Sequence, residues 1–187
     1  MDRTDQVVLV DEHDREIGLE EKLSAHKRGV LHRAISVFVF NSRGQTMLQQ
    51  RADSKYHCAG LWSNTCCSHP FKGETVLESA HRRLREEMGF DCDLEEAFSF
   101  IYKANVGHGL TEHELDHVIF GIYDGEPSMN RSEAKDWKWS YLNALKEDAK
   151  KNPESYTPWL KILLDGALIK TADAFLETKV STSRGTS

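Results

Sequence analysis

The feature that most constrains the fold is a highly charged helix predicted over residues 75–88. Its apolar residues recur at helical spacing and give it one apolar face, which must pack on another layer. These residues are Val76, Leu77, Ala80, Leu84 and Met88. Gly89 follows directly and predicts the end of the helix. The rest of the chain must therefore supply a layer on which this helix lies.

Apolar runs between turn signals predict that layer to be a β-sheet. Residues 34–40 are almost wholly apolar, and the turn at 41–44 predicts that residues 46–51 pair back with them as a hairpin. Further strands are predicted at 7–10, near Trp62, and at 98–104, 114–123 and 135–139. Helices are predicted at 141–151 and 158–176, and residues 20–28 are either helix or loop. This irregular alternation predicts a mixed α/β fold, with a mixed sheet between helices.

Length and composition favour one soluble domain. The chain has 187 residues and a net charge of −6, and no basic stripe points to a nucleic-acid partner. We assign residues 1–176 to the domain and expect the Ser- and Thr-rich residues 177–187 to be a disordered tail. No apolar run has the length of a membrane span, and the first residues lack a signal-peptide segment. The four cysteines form no Cys-x-x-Cys pair, so we expect free thiols in the cytoplasm.

Residues 68–90 resemble the Nudix box, a motif whose helix carboxylates hold magnesium against a diphosphate. The matching residues are Glu74, Arg82, Leu84, Glu86, Glu87, Gly89 and Phe90. A run of charges on a helix is usually only a solvated surface. Seven matches at fixed spacing, after a loop rich in Cys and His, favour a functional motif.

Two departures from the motif are informative. Ser68 stands in place of the first glycine, and Arg83 stands in place of the first metal-binding glutamate. The site therefore has fewer oxygen ligands for a metal cluster that activates water. Glu87 with a nearby guanidinium could hold a diphosphate without cleaving it. This pattern argues for chemistry elsewhere on the substrate.

A second segment, Leu-Trp-Ser-Asn-Thr-Cys-Cys-Ser-His-Pro at 61–70, closely resembles the active-site segment of type 1 isopentenyl-diphosphate isomerases. The pairs Ala25-His26 and Leu31-His32, the triplet Glu112-His113-Glu114, and Arg51 with Lys55 extend the match over about residues 6–160. The His26–His32 loop is one residue shorter than the family pattern. The resemblance implies a Nudix fold and a small-molecule diphosphate substrate.

The resemblance implies five metal ligands: His26, His32, His69, Glu112 and Glu114. Their chemistry agrees, because Glu112 and Glu114 lie two apart and share one face of a strand. Three imidazoles and two carboxylates suit Mn²⁺ or Mg²⁺, or Zn²⁺ in an unusual geometry. Any one of these histidines, taken alone, would more often be a hydrogen-bonded surface or core residue.

The resemblance also implies roles in a proton-transfer reaction. Glu114 would be the acid, assisted by Tyr102, and Cys67 would be the base, with its pKa lowered by nearby cations. Trp159 would cover a carbocation with its indole face. The implied diphosphate ligands are Lys22, Arg51, Lys55 and Arg83, with Mg²⁺ on Glu87.

Two other functions remain open from the sequence. A Nudix hydrolase acting on a nucleoside diphosphate would want a carboxylate at position 83 and would not need Cys67. A non-catalytic metal-binding or redox module would leave substrates unchanged, and Cys66 and Cys67 would matter equally. A cysteine taken alone is most often a small buried hydrophobe.

Overall fold

The computed structural model describes residues 6–55 and 57–184, which form nine strands and five α-helices. The strands are β1 Gln6–Val10, β2 Glu16–Glu21, β3 His32–Phe40, β4 Thr46–Arg51, β5 Trp62–Ser63, β6 Cys66–Ser68, β7 Leu94–Gly107, β8 Leu110–Ile122 and β9 Ala134–Ser140. The helices are α1 Lys22–Arg28, α2 Val76–Met88, α3 Leu142–Lys151, α4 Pro158–Asp165 and α5 Leu168–Arg184. None of the described helices is long and apolar enough to cross a bilayer.

Strand β3 lies at the centre of a mixed sheet. It pairs in parallel with β8 and antiparallel with β1, β4 and β6. Strand β7 extends the sheet as the antiparallel neighbour of β8, and β9 extends it as the neighbour of β4. The predicted mixed sheet between helices is confirmed.

The side chains of β3 alternate between two cores, one on each face of the sheet. Ile35, Val37 and Val39 pack in the core that includes α2. Phe38 and Phe40 point the other way, into the core built with α3, α4 and α5. The even-numbered residues of β3 therefore share a face with the three C-terminal helices.

Helix α2 forms where the sequence predicts it. Thr75 caps its N-terminus, and Glu78 completes a capping box by accepting the Thr75 backbone N–H. Gly89 ends the helix in the left-handed conformation, with φ of 73°. A Cβ atom at Gly89 would lie 2.3 Å from the Ser128 carbonyl oxygen, so glycine is required there for space as well as for conformation.

Two predicted elements differ from the structure. Strand β4 pairs with β3 only at Phe40 and Thr46, and with β5 at Gln49 and Gln50, while β9 pairs with it along its length. The single helix predicted over 158–176 is two helices, which break at Gly166. The Gly166 N–H donates to the Ile162 and Leu163 carbonyls and ends α4.

The last helix extends beyond residue 176, where the sequence predicts its end. Helix α5 continues to Arg184, and residues 185–187 lie outside the described part of the chain. Tertiary and local contacts outweigh the low helix propensity of Ser and Thr. The Thr178 hydroxyl donates to the Phe175 carbonyl at 2.7 Å, and Lys179 Nζ lies 2.6 Å from Glu95 Oε2 on β7.

Candidate active site

A cavity of about 330 Å³ opens beside β3 and is lined by side chains from β3, β6, β7, β8 and α2. It collects most of the residues that the sequence analysis selected, although they are spread over some 140 positions of the chain. Those lining the cavity are Lys22, Arg51, Lys55, Cys67, His69, Arg83, Tyr102, Glu112, Glu114 and Trp159. The cavity is the candidate active site.

Strand register explains how distant residues meet. His32 on β3 and Tyr102 on β7 both lie opposite Glu114 on β8, so three neighbouring strands place these side chains in one row. On the other side of β3, Ser36 pairs with Cys67 of β6. The sequence does not predict β6, because a strand of three residues shows no periodicity.

Four side chains converge as a candidate metal centre. One potential ligand atom from each of His26, His32, His69 and Glu114 lies within 4.8 Å of the others. The Nδ1 atoms of His26 and His32 bond to the Lys22 and Val30 carbonyls at 2.6 and 2.9 Å, which leaves Nε2 as the ligand atom. His32 Nε2 is buried and lies 3.5 Å from Glu114 Oε1. This donor set fits a divalent cation.

Glu112 lies beside this group rather than in it. The Tyr102 hydroxyl is 2.9 Å from Glu112 Oε2 and 2.6 Å from Glu114 Oε2. A hydroxyl carries one hydrogen, so it can donate to only one of them, and the other contact requires a protonated carboxyl. Burial, and then the Glu114 charge, raise the pKa of Glu112 well above its usual value. Of the two carboxyl groups, Glu112 therefore binds a proton more readily.

Glu114 has the opposite tendency. Its burial alone would raise the pKa, but hydrogen bonds from His32 and His69 outweigh this effect and lower the pKa well below its usual value. The His69 Nε2 atom is 3.0 Å from Glu114 Oε1. Two carboxyl groups joined by the Tyr102 hydroxyl form a short path along which a proton can move.

The structure corrects the expected chemistry of Cys67. We expected nearby cations to lower its pKa, but burial, reinforced by the Asp116 carboxylate, raises the pKa of the thiol well above its usual value. The thiol donates to Asn64 Oδ1 at 3.0 Å, and Sγ is 3.8 Å from Ser36 Oγ. Cys67 is therefore a neutral thiol in the ligand-free protein.

Asn64 contacts both Cys67 and Trp159, and the sequence did not predict this role. Its Nδ2 donates to the Val37 and Cys66 carbonyls at 3.1 and 2.9 Å, which leaves its Oδ1 as the acceptor. That oxygen accepts the Cys67 thiol and also the Trp159 indole N–H at 3.2 Å. Asn64 thus fixes Cys67 and Trp159 relative to each other. Its place inside the 61–70 segment was the available signal.

The cavity is also lined by four cations, Lys22, Arg51, Lys55 and Arg83. Lys55 and Arg83 both contact the Glu133 carboxylate, and the Arg51 guanidinium lies 5.3 Å from the Trp159 ring centroid. Burial, and then the charge of Lys55, lower the pKa of Lys22. Glu133 had no sequence signal, because it precedes a strand far from the motif.

Glu87 does not line the cavity. Its carboxylate is buried and accepts hydrogen bonds from Arg83 at 2.7 Å and from Gln49 at 2.8 Å. The Nudix-box helix thus presents Arg83 and Glu86 to the cavity, and holds Glu87 behind them.

His57 is a further residue that the sequence analysis did not select. It lines the cavity, its Nε2 is 3.7 Å from Glu112 Oε1, and its ring packs edge-on to Trp159 with centroids 6.0 Å apart. Burial, and then the charge of Arg51, lower its pKa to about 3, so the imidazole is neutral. The only sequence signal for His57 is its place in the Cys- and His-rich loop.

Comparison with known proteins identifies the class that the fold and the cavity define. The NUDIX domain family profile matches residues 30–160. A crystal structure of a Deinococcus radiodurans protein superimposes with a TM-score of 0.72 at 19% identity, covering 86% of this chain and 97% of that one. The fold is therefore that of a NUDIX domain.

Curated sequences narrow the class. The chain is 58% identical over 161 residues to isopentenyl-diphosphate Delta-isomerase 2 of Aromatoleum aromaticum, covering 86% of this chain and 85% of the relative. It is 49% identical over 157 residues to the isopentenyl-diphosphate Delta-isomerase of Pectobacterium atrosepticum, covering 84% and 88%. The chain belongs to the isopentenyl-diphosphate Delta-isomerase family.

Proposed function

We propose that this chain interconverts isopentenyl diphosphate and dimethylallyl diphosphate, moving one double bond by one carbon. The observation that carries the proposal is one cavity with two proton-transfer groups, Glu114 and Cys67, from strands on either side of β3. Isomerisation needs a proton delivered at one carbon and another removed two carbons away. A cavity with an acid, a base and a cation-binding aromatic face suits this reaction.

Glu114 and Tyr102 form the acidic side of the proposed mechanism. Protonating an unactivated alkene needs a carboxyl held in the cavity, and the Tyr102 hydroxyl would relay a proton between Glu112 and Glu114. The product of this step is a tertiary carbocation. The Trp159 indole lines the cavity and would cover that charge, while burial excludes water.

Cys67 would remove the second proton. In the forward reaction Glu114 loses a proton and Cys67 gains one, so the reverse reaction starts from an ionised Glu114 and a neutral Cys67 thiol. The pKa shifts of the ligand-free protein favour this second state. Before the forward reaction can start, one proton must move from the Cys67 thiol to Glu114. A thiolate formed in this buried position would be a strong base, since burial raises the pKa of the thiol.

We propose two metal sites. His26, His32, His69 and Glu114, with Glu112 beside them, would hold Mn²⁺, Mg²⁺ or Zn²⁺. A divalent ion there would polarise the Glu114 carboxyl and fix its orientation. Lys22, Arg51, Lys55 and Arg83 would bind the diphosphate, together with Mg²⁺ on Glu87. The Glu87 oxygens retain lone pairs beyond those used by Arg83 and Gln49.

The same residues favour isomerisation over hydrolysis. Arg83 occupies the position of a metal-binding glutamate and makes ion pairs with Glu86 and Glu87, so the helix has no open carboxylate pair to activate water. We also infer a cytoplasmic location, which the free thiols of all four cysteines support.

A product assay tests the proposed function. Purified protein is incubated with isopentenyl diphosphate and Mg²⁺, and separately with nucleoside diphosphates. We expect dimethylallyl diphosphate from the first and no phosphate from either. Stoichiometric phosphate without the allylic isomer would refute the isomerase assignment.

A further inference from the structure

One carboxylate in the cavity has no part in the proposed proton transfers. Glu133 Oε2 contacts the Lys55 ammonium and lies 3.4 Å from Arg83 Nη2. All three side chains line the cavity, and Lys55 and Arg83 are two of the proposed diphosphate ligands. A carboxylate of the protein itself thus lies where phosphoryl oxygens would meet these cations.

The backbone holds Glu133 in this place. Its N–H donates to the Asn130 carbonyl at 2.9 Å, and its carbonyl accepts the Ala52 N–H at 3.0 Å. The Asn130 N–H in turn donates to the Glu87 carbonyl at 2.9 Å. The segment is therefore fastened both to the end of β4, beside Lys55, and to α2, which carries Arg83.

The charges around Glu133 do not favour the binding of a further anion. Arg83 contacts Glu86 and Glu87 at 2.7 Å each, in addition to Glu133. Burial alone would raise the pKa of Glu133, but Lys55 and Arg83 outweigh it and lower the pKa, so this carboxylate is ionised near neutral pH. Lys55 and Arg83 thus already face three carboxylates, and an incoming anion must compete for them.

We propose that Glu133 is a specificity-determining residue of the diphosphate site, whose carboxylate competes with phosphoryl oxygens for Lys55 and Arg83. The inference rests on the proposed function, because it takes these cations as diphosphate ligands. A diphosphate offers more charge and more acceptor oxygens than a carboxylate, so it can replace Glu133. Weaker anions with a single charge gain too little to do so.

Calorimetric binding of inorganic pyrophosphate in the presence of Mg²⁺ tests the competition. We expect Glu133→Gln to bind pyrophosphate about five- to tenfold more tightly than the wild type, with the gain shrinking as salt screens the charges. Asp53→Asn is the matched control. Asp53 is an exposed carboxylate of the same region, paired with Lys135 at 2.7 Å and outside the cavity lining. Its removal should change the affinity less than about twofold.

Pyrophosphate affinity that is equal or weaker in Glu133→Gln overturns the inference, because the carboxylate would then assist binding or take no part in it. Glu133→Ala repeats the test should the first variant unfold, and thermal unfolding of each variant checks the fold. Lys55→Ala distinguishes a failure of the proposed competition from a failure of the proposed diphosphate site. Weaker binding in Lys55→Ala without a gain in Glu133→Gln refutes the competition alone. Unchanged binding in Lys55→Ala refutes the diphosphate site and the inference with it.

Discussion

At the residue scale, the two adjacent cysteines have different surroundings because they alternate along β6. Cys66 is fully buried in the core that packs against α2. Cys67 lines the cavity and contacts Asn64 and Ser36. Strand geometry thus gives one cysteine a packing position and the other a position at the cavity wall.

We predict that Cys67→Ala lowers turnover by about 10⁴-fold or more, at the upper end for an acid–base group, since the described cavity offers no second thiol. Cys66→Ala should keep most of the activity and cost about 1 kcal/mol of stability through lost packing. Steady-state isomerase assays and urea unfolding of both variants measure these effects. Near-normal rates in Cys67→Ala, together with an inactive Cys66→Ala, would show that Cys67 is not the base.

The sequence could predict which side chains enter the site, but not how they touch. The spacing of Glu112 and Glu114 predicts a shared strand face, and the structure places both in the cavity. The contacts of Asn64 and Glu133 follow from tertiary packing, which spacing does not encode. The raised pKa of Cys67 is also a property of burial, and the sequence suggested the opposite direction.

At the element scale, the start of α2 is held by an ion pair within the Nudix box. Arg82 donates two hydrogen bonds to Glu74 at 2.7 and 2.8 Å, and Glu74 also accepts the Phe71 N–H at 2.8 Å. Burial alone would raise the pKa of Glu74, but these hydrogen bonds outweigh it and lower the pKa. The ion pair therefore joins the active-site loop to the helix.

We predict that Glu74→Gln destabilises the protein by about 1–2 kcal/mol at pH 7. A carboxyl whose pKa is lowered on folding stabilises the protein above its unfolded pKa of 4.5, and this contribution is lost as the pH falls further. Urea unfolding of variant and wild type at pH 7 and below pH 4.5 measures the difference. A gap in unfolding free energy that stays constant with pH would contradict the electrostatic origin.

The end of α2 gives a second prediction. Gly89→Ala meets both a positive φ and the Ser128 carbonyl oxygen, so we expect a loss of about 3 kcal/mol. Gly73→Ala is the control: its φ is 80°, but no atom lies within 4 Å of the added Cβ. The control should lose about 1 kcal/mol. Equal losses in thermal unfolding would show that the close approach to Ser128 does not matter.

Element prediction succeeded where periodicity was strong and failed where pairing decided the outcome. The 3.6-residue pattern of α2 and the apolar run of β3 were sufficient signals. Strand β6 is too short for a pattern, and the break between α4 and α5 depends on Gly166, which an apolar helix pattern can run through. The sequence predicts β4 as a hairpin partner of β3, but β4 pairs with β3 at one position and with β9 along its length.

At the scale of the whole molecule, the sheet places the proposed proton-transfer groups and the cations in one cavity, next to the candidate metal ligands. The cavity is lined by both cations and carboxylates, with the Trp159 indole among them. The central claim is that these groups move protons on the carbon chain and leave the diphosphate intact.

Nuclear magnetic resonance of the reaction in D₂O tests this claim most directly. Isopentenyl diphosphate and Mg²⁺ are incubated with the protein while carbon-bound hydrogens and phosphorus are followed together. The account predicts that the terminal alkene signals disappear, that deuterium enters a methyl group of dimethylallyl diphosphate, and that the diphosphate signals keep their intensity. Release of inorganic phosphate with the alkene signals unchanged would contradict it.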